Sequence, residues 1–133
     1  MGSSLASPFS VALQGGLGVQ FSGSAAAGVA ASVGLRDLGW PIGLRIALQR
    51  GPLGLSTGID ALAWLDESSG STYLGGGAAV VVDTGSVCLR LVAGYAWNIA
   101  PGWTWTLEGL GEAPVGGDPS AFTLLTGVAY RIP

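Results

Sequence analysis

Histidine is missing altogether from this 133-residue chain, and cysteine occurs once, as Cys88. Without an imidazole there is no ordinary Ser-His-Asp triad, no base to activate the single thiol, and no histidine ligand for zinc. A lone cysteine closes no internal disulfide, so Cys88 is expected to pack as a small buried residue. No catalytic residue, metal site or cofactor is expected. Charge is scarce too. Lys+Arg number 5 and Asp+Glu 8, together 10% of the chain, against roughly 25% in ordinary soluble domains. The hydrophobic share of 49% is only average. So few charges cannot coat a water-facing surface, and something other than water is expected to face much of the molecule. A net charge of −3, with the basic residues scattered singly, argues against a nucleic-acid partner.

A hydrophobic helix long enough to span a membrane is also lacking. Residues 1–35 carry no charged side chain, but Gln14, Gly15, Gly16, Gly18, Gln20 and Ser22 interrupt them, and the apolar residues recur every second position. Met1–Ser7 has no basic segment of the kind that opens a signal peptide. Met1–Ser4 reads as a start residue and vector-derived remnant in place of a removed export signal. Residues 1–8 are therefore expected to form an N-terminal tail and residues 9–133 a single domain, too short to include a second folded module.

What the chain does have is alternation. In Phe122–Ile132, Phe122, Leu124, Thr126, Val128, Tyr130 and Ile132 share one side, while Thr123, Leu125, Gly127, Ala129 and Arg131 share the other. Phe9–Phe21 repeats the pattern with Val11, Leu13, Leu17 and Val19 on the apolar side. Further strands are predicted over Ala25–Arg36, Ile42–Gln49, Leu53–Leu65, Thr72–Asp83, Val87–Trp97 and Trp103–Gly111, with turns rich in Gly, Pro, Asp and Ser between them. In Thr72–Asp83, Gly75–Gly77 and Val80–Val82 blur the parity. Eight strands joined by connections too short for a crossover predict an all-β fold, an up-and-down antiparallel barrel.

Period two alone does not say which face meets solvent. A soluble lipocalin-like barrel would turn the apolar face inward and cover the other with Lys, Glu, Asp and Arg. Here the second face is mostly Gly, Ala, Ser, Thr and Gln, which suits the crowded bore of an eight-stranded barrel, so the bulky aliphatics are expected to meet lipid.

The closing strand G-V-x-Y-R-hydrophobic and the turn Y-A-W-N-I-A-P-G-W-T-W (residues 95–105) resemble those of small OmpA/OmpX-type bacterial outer-membrane barrels, with a composition similar to a thermophile's outer-membrane protein. Ile132 stands where the usual terminal Phe would be, and Pro133 follows. The resemblance implies a monomer in the bacterial outer membrane, with the lipid bilayer and the barrel-assembly machinery as partners. It also puts the termini and the turns 37–41, 66–71 and 98–102 on the periplasmic side. Aromatics then collect at the two membrane interfaces: Phe9, Trp40, Trp64, Tyr73, Tyr95, Trp97, Trp103, Trp105 and Tyr130 at the periplasmic rim, Phe21 and Phe122 at the outer one.

The polar lumen residues expected are Gln14, Gln20 and Arg131, with two interior ion pairs, Arg45 diagonal to Asp60 and Arg90 diagonal to Glu108, plugging the bore. Glu112–Ser120 reads as the longest outer loop. A plugged or very narrow lumen implies a structural, membrane-stabilising role. The alternatives are a small-solute pore or carrier, an adhesin, which the short outer loops disfavour, and the soluble binder.

Overall fold

The computed structural model describes residues 9–23, 25–35, 42–51, 53–65, 70–116 and 120–132. Eight strands follow in order: β1 (Phe9–Gln20), β2 (Ala25–Leu35), β3 (Ile42–Gly51), β4 (Gly54–Trp64), β5 (Gly70–Val81), β6 (Val87–Ala100), β7 (Trp103–Pro114) and β8 (Ala121–Arg131). Each pairs antiparallel with the next, and β1 pairs with β8, closing the barrel and leaving no sheet edge. Strands of this length, at about 3.3 Å per residue and tilted by about 40°, rise roughly 30 Å.

Closure sets a stagger. Ser10 pairs with Gly34, Gly34 with Arg45, Arg45 with Asp60, Asp60 with Gly77, Gly77 with Arg90, Arg90 with Glu112, Glu112 with Ala121, and Ala121 with Gln20. One circuit thus climbs β1 from Ser10 to Gln20, the shear that tilted strands need to close. The same circuit strings four charged residues along one line inside the wall.

Alternation decides the faces. Leu13 (65% exposed), Leu17, Ile46, Leu89 and Leu91 (74%) point outward, while Leu62, Leu110, Leu125 and most of the polar inner residues are buried. The ambiguous β5 resolves with Leu74, Ala78 and Val80 outward and Ser71, Tyr73, Ala79 and Val81 inward. An outer band of bulky aliphatics this continuous far exceeds the apolar patches that water-soluble monomers expose.

Large and small residues face each other across the inner wall. Gln14 lies opposite Gly127, Leu125 opposite Gly16, Leu62 opposite Gly75, and Glu108 opposite Gly94. A Cβ on Gly94 would stand 2.5 Å from the Tyr73 ring, so that glycine is needed for close approach. At the β6–β7 turn, Gly102 takes φ +82°, which favours glycine, and the register shifts between Asn98 and Ala100 as a bulge.

Candidate functional site

The centre of the bore holds two arginines and three carboxylates. Arg45 grips Glu108 with both nitrogens, Nη1 to Oε1 at 2.7 Å and Nη2 to Oε2 at 3.0 Å, and also donates to Asp60 Oδ2 from Nη2 (3.0 Å) and Nε (3.2 Å). Arg90 donates to the same Asp60, Nε to Oδ1 at 2.9 Å and Nη2 to Oδ2 at 3.3 Å, and its Nη1 lies 3.5 Å from Glu112 Oε2. Asp60 is thus the shared anion between two guanidinium groups. The Tyr73 hydroxyl donates to Glu108 Oε1 at 2.8 Å, and Gln49 accepts from Arg90 and donates to Glu112, both at 3.4 Å. Charge-assisted bonds of this number are what buried ions need to offset their desolvation.

Two expected features change. Arg45 and Asp60 are directly opposite rather than diagonal, because the β3–β4 hairpin turns between Gly51 and Gly54. Arg90 does not pair with Glu108. The β6–β7 turn is centred beyond Ala100, which brings Glu112 opposite Arg90 and leaves Glu108 to reach across the bore to Arg45. Glu112, expected in the outer loop, belongs to β7 and is buried. Its signal was the unbroken alternation Thr104, Thr106, Glu108, Leu110, Glu112, hidden by Gly109 and Gly111. Gly77, between Asp60 and Arg90 in the pairing line, leaves the space through which those two side chains meet; a Cβ there would stand 2.7 Å from Asp60 Oδ1.

Of the expected lumen residues, Gln14 is buried and donates to Thr106 Oγ1 at 3.0 Å. Gln20 and Arg131 are half-buried on the inner face, at opposite ends of the bore.

The two ends of the bore differ. Towards the β1–β2 and β7–β8 turns it is filled by Cys88, Thr123, Ala121, Val81, Leu110 and Leu125, all buried. Towards the termini it widens into a cavity of about 610 Å³, running from the β6–β7 turn and Arg131 inward to Arg45, Glu108 and Gln14. Small inner residues therefore fill only one half of the bore.

No protein-family model matches the chain, and no curated protein is detectably similar in sequence. Solved structures do match. A de novo designed transmembrane β-barrel aligns with TM-score 0.72 and 11% identity, covering 95% of this chain and 97% of its own. Neisserial surface protein A aligns with TM-score 0.69 and 15% identity, over 96% of this chain and 99% of its own. The N-terminal β-barrel domain of Pseudomonas aeruginosa OprF aligns with TM-score 0.65 and 15% identity, over 96% and 99%. This chain has the fold of the small transmembrane β-barrels.

On the outside of this transmembrane-type barrel, Trp97, Trp103 and Trp105 are exposed near the β6–β7 turn, with Tyr95 and Tyr130 half-buried beside them. The rings of Tyr95 and Trp97 lie 4.7 Å apart and those of Trp103 and Tyr130 4.6 Å apart. Phe9 is exposed at the terminus-bearing end and Phe21 and Phe122 at the opposite one. Two of the expected interface aromatics turn the other way. Trp64 and Tyr73 sit on the inward parity of β4 and β5, stack at 4.6 Å, and line the cavity. Closeness to a turn placed them at the right height, but parity sets the side, and both are in step with buried Leu62 and Ser71. Trp40 lies outside the described residues.

Proposed function

We propose that the protein is a monomeric, non-enzymatic barrel of the bacterial outer membrane, inserted by the barrel-assembly machinery, with a bore closed to through-passage and a structural, membrane-stabilising role. The observation that carries this reading is the bore itself. The network on Asp60 spans it, and Leu110, Leu125 and Thr123, each at most 1% exposed, fill the half beyond. The apolar outer band and the aromatics near its edges support a bilayer as its solvent.

Two measurements test the proposal. A membrane barrel of this kind needs detergent to stay dispersed and shifts on a gel when boiled; soluble, unshifted protein would refute it. Single barrels in planar bilayers are expected to show no conductance steps above background. A second reading, a small-solute pore, draws on the cavity that already occupies half of the bore. Steps that appear in the wild type, or in Arg90→Ala but not the wild type, would favour it.

A further inference from the structure

We propose that the cavity at the terminus-bearing end is a binding cup for a small uncharged aromatic molecule that carries one hydrogen-bonding group, an amide or a hydroxyl. The proposal depends on the barrel but not on whether the bore conducts. At about 610 Å³ the cavity falls within the size range of small-molecule sites, and the filled opposite half makes it blind. A molecule entering there can bind without a way through.

The floor turns away charge of either sign. Arg45 reaches the cavity already bonded to Asp60 and Glu108, and the Tyr73 hydroxyl is committed to Glu108. Arg131, at the mouth, has an interaction of its own. An incoming anion therefore finds no unpaired cation among the described residues of the lining. It also faces a cluster of three carboxylates against two guanidinium groups, a surplus that repels it. An ammonium fares no better, because the side chain of Arg45 is 10% exposed while those of Asp60 and Glu108 are 0% and 1%. The amine meets the guanidinium before it meets the acids. Either ion would be buried without a partner, which is costly.

The walls offer hydrogen bonds instead. The hydroxyls of Ser32 and Thr104 line the cavity and bond to no described residue, whereas that of Thr106 is taken up by Gln14 and the Gly127 carbonyl. Thr104 pairs with Ala129, Ala129 with Ala12, and Ala12 with Ser32, so the two spare hydroxyls flank a pair of alanines in one row of the wall. Across the bore, on β4, stand Leu62 and Trp64, the latter braced by Tyr73 with ring centroids 4.6 Å apart. The alanines leave a slot between this apolar wall and the row. A flat ring fits the slot, and one uncharged polar group on it can reach a hydroxyl at the slot's edge. A sugar would need many converging polar groups, and an acyl chain would leave the hydroxyls unused.

The test is equilibrium dialysis of the full chain in lipid nanodiscs against indole-3-acetamide, indole-3-acetate and tryptamine, with empty nanodiscs subtracted. Saturable binding of one amide per barrel is expected, with the acetate and the amine each about tenfold weaker. Ala129→Phe, which fills the slot from a strand that contributes nothing to the Asp60 network, is expected to abolish binding. Ser32→Ala combined with Thr104→Val is expected to weaken the amide severalfold. Equal or tighter binding of either ion, no saturable binding, wild-type binding by Ala129→Phe, or an unchanged amide in the double variant would each overturn the proposal. The gel shift on boiling, run on the same samples, separates such a result from a failure of the barrel to form.

Discussion

Arg45 and Glu108 are 63 positions apart in sequence, yet they meet across the bore through two parallel hydrogen bonds of 2.7 and 3.0 Å. The bond ties β3 to β7, which are not neighbours in the wall, and Asp60 extends the tie to Arg90 on β6. A sheet closed only by its ladder would resist flattening weakly; these cross-bore bonds brace it from inside.

Asp60 is the member whose loss leaves two guanidinium groups short of an acceptor, so Asp60→Asn is expected to destabilise the barrel by about 3–5 kcal/mol. Glu112 stands apart: its closest partners lie at 3.4 and 3.5 Å, and Oε2 accepts no hydrogen bond. Glu112→Gln is therefore expected to change stability by less than about 1 kcal/mol. Urea unfolding of both variants in lipid vesicles measures the contrast, and equal effects would contradict a network centred on Asp60.

Gly94 leaves room for the Tyr73 ring. With an added Cβ only 2.5 Å from Cζ and the hydroxyl oxygen, Gly94→Ala is expected to push Tyr73 off Glu108 at a cost of about 1–3 kcal/mol. In a Tyr73→Ala background the same substitution is expected to cost distinctly less, and a double-mutant cycle reads the coupling.

Outward residues test the solvent. Leu13 lies between Phe9 and Phe21 on the outer face and is 65% exposed. Leu13→Arg is expected to lower stability in bilayers by about 2–4 kcal/mol, and Phe21→Arg, at the end of the band, by about 0–1 kcal/mol. Refolding titrations into vesicles measure the depth dependence; in a barrel built for water both changes would be close to neutral.

Cys88 is 0% exposed in the filled half of the bore. Maleimide labelling of the folded barrel is expected to proceed only as fast as the barrel opens, and at once in denaturant. Rapid labelling of the folded state would show that this half of the bore is open.

Much of this was legible in the chain because a strand's side chains alternate, and alternation is a local property. Spacing puts Leu13, Leu89 and Val128 on the apolar face of their strands and composition turns that face to lipid, while the strands of Phe9–Gln20 and Ala121–Arg131 needed only the alternation to be placed. The glycine run 75–77 erased the alternation locally, so the inward Tyr73 was not readable, and Trp64 was placed by its height instead of its parity. Turn signals gave the hairpins but not their centres. A shift of a residue or two in a turn moves every cross-strand partner, which is why Arg90 faces Glu112 and not Glu108.

Strand number, antiparallel order and the identity of the greasy face follow from composition and period two within each segment, and so could be read from the residues in a row. The partners in the bore, and which half of it is empty, were settled by closure of the ring. Those depend on the stagger that carries the pairing line from Ser10 to Gln20, a property of the closed ring that no single strand contains.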